Sequence, residues 1–160
     1  MKKIRNNIFE TNSSSTHAIC FGNDINELPK KLYFGLGEFG RAEERVDPYD
    51  YLFTAICDYY GEEEWKEKWG WVVKVLKDHG CEDVKWEDPK WKHTKWGSYP
   101  EGYWSVDHSC ELTEFLDSVI GNEEMLLKYL TSKDTFVETS EDDWDTYDNC
   151  TLPNKYMKGN

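Results

Sequence analysis

Near its start the chain carries two apolar pieces, Ile8-Phe9 and Ala18-Ile19-Cys20-Phe21, separated by an unbroken polar run from Glu10 to Thr16 and by His17. Hydroxyls and an amide in series have no apolar period, so the run is not an ordinary core element. It reads as a loop rich in short donors and acceptors, ending on a histidine at the mouth of a strand. Strands are predicted over His17 to Phe21 and Lys31 to Phe34, separated by a turn with Gly22, Asn23, Asp24 and Pro29. Gly35, Gly37 and Gly40 then surround Glu38-Phe39. Their spacing is not that of a dinucleotide cradle and no phosphate-binding Lys-Ser/Thr follows, so a bulged strand or turn is expected.

Helical periodicity begins at Asp47-Pro48, a capping residue followed by proline at the first helical position. One helix is predicted to about Tyr60, with Leu52, Ile56 and Tyr59 or Tyr60 inward, and Gly61 breaks it. A second runs from Glu62 to about Asp78, with Trp65, Trp69, Val72, Val73 and Leu76 on its core face and Gly80 suited to its C-terminal cap. Strands follow around Val84-Lys85-Trp86 and Tyr103 to Val106. Two short helices come next: Glu111 to Ile120, with Leu112, Phe115, Leu116 and Val119 inward, and Asn122 to Leu130, capped by Asn122. A last strand, Thr135 to Glu138, leads into an acidic segment over 138–160. The pattern describes one α+β domain over 1–160, with a mixed or antiparallel sheet and about four helices.

Composition supports a folded chain. Hydrophobic residues make up only 38% of the 160, but 8 Trp, 10 Tyr and 7 Phe supply large buried surfaces. The cysteines, Cys20, Cys57, Cys81, Cys110 and Cys150, are odd in number and scattered, which argues for reduced thiols in a cytoplasm. The basic start, Met1 to Arg5, has no apolar stretch behind it of the kind secretion requires, and no segment has the length and apolarity of a membrane span.

Charge narrows the partner class. Thirty-two Asp and Glu against 19 Lys and Arg give −13, a field that opposes a phosphate backbone and favours a basic protein surface. Six carboxylates and two aromatics, with no Lys or Arg, fall between Glu138 and Asp148. Glu138, Glu141, Asp142, Asp143, Trp144, Asp145, Tyr147 and Asp148 are the candidate binding residues, because acids interleaved with Trp and Tyr can imitate a phosphate strand with stacked bases. The plain alternative is a solvated acidic tail with Trp144 tucked onto the core. From Lys85 to Trp96, lysines alternate with Trp86, Trp91 and Trp96 at five-residue spacing, which fits neither a helix face nor strict strand alternation. This stretch is expected to be a long loop or loose hairpin whose tryptophans anchor the core, although single-strand binders use the same residue types.

Catalytic chemistry has a thinner basis. His17 and Asp107-His108 are the attractive titratable groups, and Ser13, Ser14, Ser15 or Cys110 could serve as nucleophile. Neighbours on a strand point to opposite faces, so Asp107 and His108 are not a ready-made dyad. Thr11, Asn12, Ser13, Ser14, Ser15, Thr16 and His17, with Asp107 and His108, form the alternative ligand site, a nest of hydroxyls and amides for a nucleotide phosphate. The histidines and cysteines lack the local spacing of zinc modules, so neither a metal nor another cofactor is expected.

The run Phe9-Glu10-Thr11-Asn12-Ser13-Ser14-Ser15-Thr16-His17 also resembles the opening of a family of small, mostly uncharacterised proteins of phages and mobile elements of gut Firmicutes. Phe34 to Gly40, Tyr51 to Ala55, and Val106-Asp107-His108-Ser109 are similar to further pieces of such proteins. The resemblance implies a phage setting and an accessory, anti-CRISPR-like role during infection. It supplies no catalytic residue. Together these features predict a cytoplasmic anti-defence protein that binds a basic host immune effector, with a CRISPR nuclease such as Cas9 as the leading target. It is expected to make no direct contact with nucleic acid or membrane. The competing class is a nucleotide-binding protein, sponge or enzyme, built on the hydroxyl-rich run.

Overall fold

Strand β1 (Ser15–Phe21) is buried along its whole length, which requires cover on both of its faces. The computed structural model describes residues 15–159 except 41, 96, 102–104, 107, 108 and 142. After β1 come β2 (Lys31–Phe34), β3 (Glu38–Phe39), β4 (Glu44–Val46) and the long helix α1 (Pro48–Asp78). Next are β5 (Asp83–Trp86), β6 (Trp91–Thr94), β7 (Gly97–Pro100), β8 (Ser105–Val106) and a 3-10 turn (Ser109–Leu112). Helices α2 (Thr113–Val119) and α3 (Glu123–Thr131), strand β9 (Phe136–Glu141), helix α4 (Asp145–Asn149) and β10 (Asn154–Lys158) complete the order.

The main sheet is antiparallel, in the order β10-β1-β9-β4, and the small ladders β2-β5, β3-β8 and β6-β7 surround α1. The fold is thus α+β. Ile19, Phe21 and Val137 on one face of the sheet join the core with α1, α2 and α3. The period of two along a strand puts Thr16, Ala18 and Cys20 on the other face. That face is covered by α4, which lies against β1 and β10.

Asp47 caps α1 by accepting from the Tyr49 and Asp50 amides at 2.7 and 3.2 Å, with Pro48 behind it as expected. Gly61 interrupts the helical backbone at φ 75° and ψ −178°, so the two predicted helices form one bent element. At its far end the Gly80 amide bonds Lys77 O and the Cys81 amide bonds Leu76 O, the paired closure that glycine at φ 99° permits. Trp65, Trp69, Val72 and Leu76 are buried as their spacing requires, while Val75 takes the inward position expected of Val73. Leu112, Phe115, Leu116 and Val119 are all buried, and Asn122 Oδ1 accepts from the Met125 amide to cap α3.

Two expectations are corrected. The last strand does not stop at Glu138 but runs to Glu141, in the interior of the main sheet. The segment after it is not a solvated tail, because the chain returns as α4 and then as β10 alongside β1.

Candidate functional site

The described part of the hydroxyl-rich run is structural. Ser15, Thr16 and His17 are buried in β1 rather than displayed on a loop. His17 Nε2 lies 2.9 Å from the Gly40 carbonyl and Nδ1 2.8 Å from the Tyr51 hydroxyl. A carbonyl only accepts, so Nε2 carries the proton, and in the neutral ring Nδ1 accepts from Tyr51. Burial pushes the Tyr51 phenol well above its ordinary range, which keeps it an O–H donor. Ser15 receives the buried Lys158 ammonium on both its carbonyl and its hydroxyl. Of the other residues of the expected ligand site, Thr11, Asn12, Ser13, Ser14, Asp107 and His108 lie outside the described residues.

Thr16 starts the attachment of the acidic segment. Its hydroxyl donates to the Asp143 carbonyl at 2.7 Å and accepts from the Asp143 amide at 3.3 Å. Ser140 Oγ lies 2.7 Å from the same hydroxyl and 3.1 Å from the same carbonyl. These contacts turn the chain at the end of β9 and lay α4 as a strap across the outer face of the sheet. Further along, the Lys155 ammonium donates to Tyr147 O at 3.2 Å and sits 4.5 Å from the Tyr147 ring centre. Beneath the strap, burial first and the neighbouring Cys150 second push the Cys20 thiol up.

The strap divides the predicted binding residues. Glu138 is half-buried and already engaged: Arg45 Nε lies 3.0 Å from Oε2, and Thr146 Oγ1 donates to Oε1 at 2.6 Å. The Arg45 guanidinium also covers the Phe136 ring at 4.0 Å. Asp143 is half-buried and its Oδ1 accepts from the Asp145 amide at 2.8 Å, while Tyr147 lies under Lys155. These three hold the strap in place. Asp142 lies outside the described residues. The outward group is Glu141, Trp144, Asp145 and Asp148, all exposed, with Trp144 at 45%. Trp144 is therefore not tucked onto the core. The open groove between the strap and the sheet measures about 520 Å³ and is lined by both signs of charge, with Arg45 facing Asp134, Glu138 and Asp145.

The Lys/Trp stretch behaves as the expected hairpin, β6 pairing with β7, and Trp86 and Trp91 pack against the core. Cys20, Cys57 and Cys81 are buried free thiols and Cys150 is a half-buried one. Burial raises Cys57 and Cys81 as it does Cys20, so all three are poor nucleophiles. Among the described residues no cluster of three or more His, Cys, Asp or Glu has the arrangement of a metal site, and no helix is long and apolar enough to cross a membrane. Sequence reasoning missed α4, β10 and the burial of Lys158. A helix of five residues is little more than one turn and leaves no periodic trace.

Comparisons with protein-family models, with curated proteins and with solved structures found no match for this chain.

Proposed function

We propose that the protein is an anti-defence binding protein that docks through the α4 strap onto the basic surface of a nucleic-acid-dependent immune effector. The observation that carries this reading is Trp144, 45% exposed between Glu141 and the carboxylates of Asp145 and Asp148. Tryptophan is over-represented among residues that dominate binding energy, and Trp144 stands in a stretch of the chain that holds carboxylates and no Lys or Arg. The exposed carboxylates of Glu141, Asp145 and Asp148 and the net charge of −13 attract a basic partner from a distance and select against an acidic one. Hydrogen bonds from Thr16 and Ser140 preorganise the strap, so little ordering entropy is lost on docking.

The resemblance carried by residues 9–17 supports a phage setting, and a CRISPR nuclease such as Cas9 is the first effector to test. Under this reading the protein competes with nucleic acid for a basic channel and carries out no chemistry. Purified protein would be mixed with candidate effectors in a pull-down at low salt and in a DNA-cleavage assay. Binding that weakens as salt rises, together with inhibited cleavage, is the expected result. Failure to bind any effector at low salt would sink the proposal.

A further inference from the structure

The face of the main sheet beneath the strap brings two thiols together. Cys57 and Cys81 belong to the main core, whereas Cys20 is buried on the opposite face of β1. Its cross-strand neighbours on that face are Phe136 of β9 and Lys155 of β10. Cys150, where α4 ends, lies beside both of them. With Phe136 it lines the groove between strap and sheet. With Lys155 it shares one acceptor: the Cys150 amide and the Lys155 ammonium each donate to Tyr147 O at 3.2 Å. Two separate sets of contacts therefore carry the end of α4 over the position of Cys20. The Cys20 thiol responds to its neighbour, being pushed up by burial first and by Cys150 next, against a smaller pull from Lys155 and Arg45.

The two thiols differ in access. Cys20 is 0% exposed, so solutes do not reach it. Cys150 is half-buried and borders the open groove. We propose that Cys20 and Cys150 form a reversible disulfide that fastens the strap to the sheet, with a low-molecular-weight disulfide such as oxidised glutathione as the oxidant.

The Cys150 thiolate attacks one sulfur of that disulfide. A bond from Cys150 to glutathione forms, and the other glutathione leaves as a thiolate that takes up a proton. Cys20 then gives up its proton and attacks the Cys150 sulfur, expelling the second glutathione, which is protonated in turn. Two protein thiols are oxidised while one disulfide is reduced to two thiols. A buried thiol is a weak nucleophile against a molecule in solution, but one fixed beside its target needs no encounter. In a reducing compartment the thiols are the resting state, so the bond answers oxidation and is not a permanent brace. Once formed, it joins the first strand of the sheet to the turn before the last and restricts the strap between them.

The test starts from folded, reduced protein freed of reductant and incubated with oxidised glutathione. Free thiols are blocked with N-ethylmaleimide, and the protein is digested without reduction for mass spectrometry. The expected product is a peptide pair linked through Cys20 and Cys150, with no glutathione retained and both thiols restored by dithiothreitol. Amide hydrogen exchange across residues 143–150 should slow by about tenfold or more in the oxidised protein and recover on reduction. Cys150→Ser should leave Cys20 a free thiol under the same treatment, because the attack starts at Cys150. A product that stops at glutathione on Cys150 would show that the two sulfurs do not meet and would overturn the proposal. So would a Cys150 that stays unmodified, a Cys20 joined to another cysteine, or strap amides that exchange equally fast in both states. None of these outcomes depends on whether the strap docks onto an effector, which the pull-down measures separately.

Discussion

His17 and Tyr51 hold each other at 2.8 Å in the interior, joining β1 to the first turn of α1. The rings also meet edge to face, with centres 5.6 Å apart. Tyr51→Phe removes this buried hydrogen bond to His17, which should cost about 1–3 kcal/mol. His17→Ala should cost more, because it orphans the Tyr51 hydroxyl and the Gly40 carbonyl and opens a cavity. Urea unfolding measures both. A His17→Ala protein as stable as the parent would contradict the structural role.

Gly61 sets the bend of α1. Its φ of 75° with ψ near 180° belongs to a region that side chains with a Cβ do not tolerate. Gly61→Ala is expected to destabilise by about 1–3 kcal/mol, although alanine is the better helix former in a regular helix. If thermal melting shows the variant to be stabilised, the bend is dispensable.

Trp69 is the central aromatic of the core, 4.6 Å from the Phe53 ring centre and 4.7 Å from that of Phe34. Trp69→Ala should cost about 3–5 kcal/mol, a large share of a small domain's stability. The expected readout is loss of the cooperative unfolding transition at moderate temperature.

Asp24 ties the turn after β1 to the end of α3. The Ser132 hydroxyl donates to it at 2.6 Å, and this bond, followed by those of Asn26 and the Lys133 amide, pulls its carboxyl down to about 2. A depressed folded-state value means that the tether is intact above the ordinary carboxyl range, about pH 4, and is lost as pH falls toward 2. Ser132→Ala should return the Asp24 titration toward an ordinary aspartate. Carboxyl carbon shifts recorded against pH would show it, and an unchanged titration would assign the depression to another cause.

The strap prediction now rests on outward residues. Asp145→Lys and Asp148→Lys combined with Trp144→Ala should abolish effector binding while the melting temperature stays close to that of the parent. Each exposed carboxylate contributes little by itself, so the single charge reversals should have small effects. Thr16→Val should act differently: it removes the hydroxyl that fixes Asp143 and should loosen the strap, lowering both stability and affinity. Undiminished inhibition by the triple variant would move the working surface elsewhere.

The sequence by itself determined the helical segments α1 to α3 and the class of the fold. Asp47-Pro48, Gly61, Gly80 and Asn122 act on the backbone within a few residues of themselves, so their caps and breaks are local facts. The inward residues of α2 follow from a repeat of 3.6 in the same way. Only the tertiary structure decided which polar residues were interior. Ser15, Thr16 and His17 look like a recognition loop until β9 pairs with them and Lys158, Asp143 and Ser140, and Tyr51 and Gly40, satisfy their respective polar atoms. Glu138, Asp143, Trp144, Asp145 and Asp148 lie within a few positions of one another in the chain. Yet Glu138 and Asp143 fasten the strap while the others face outward, because Arg45 and Thr16 reach them from distant strands. Burial of a polar side chain depends on partners far away in sequence, and no local pattern encodes where those partners will be.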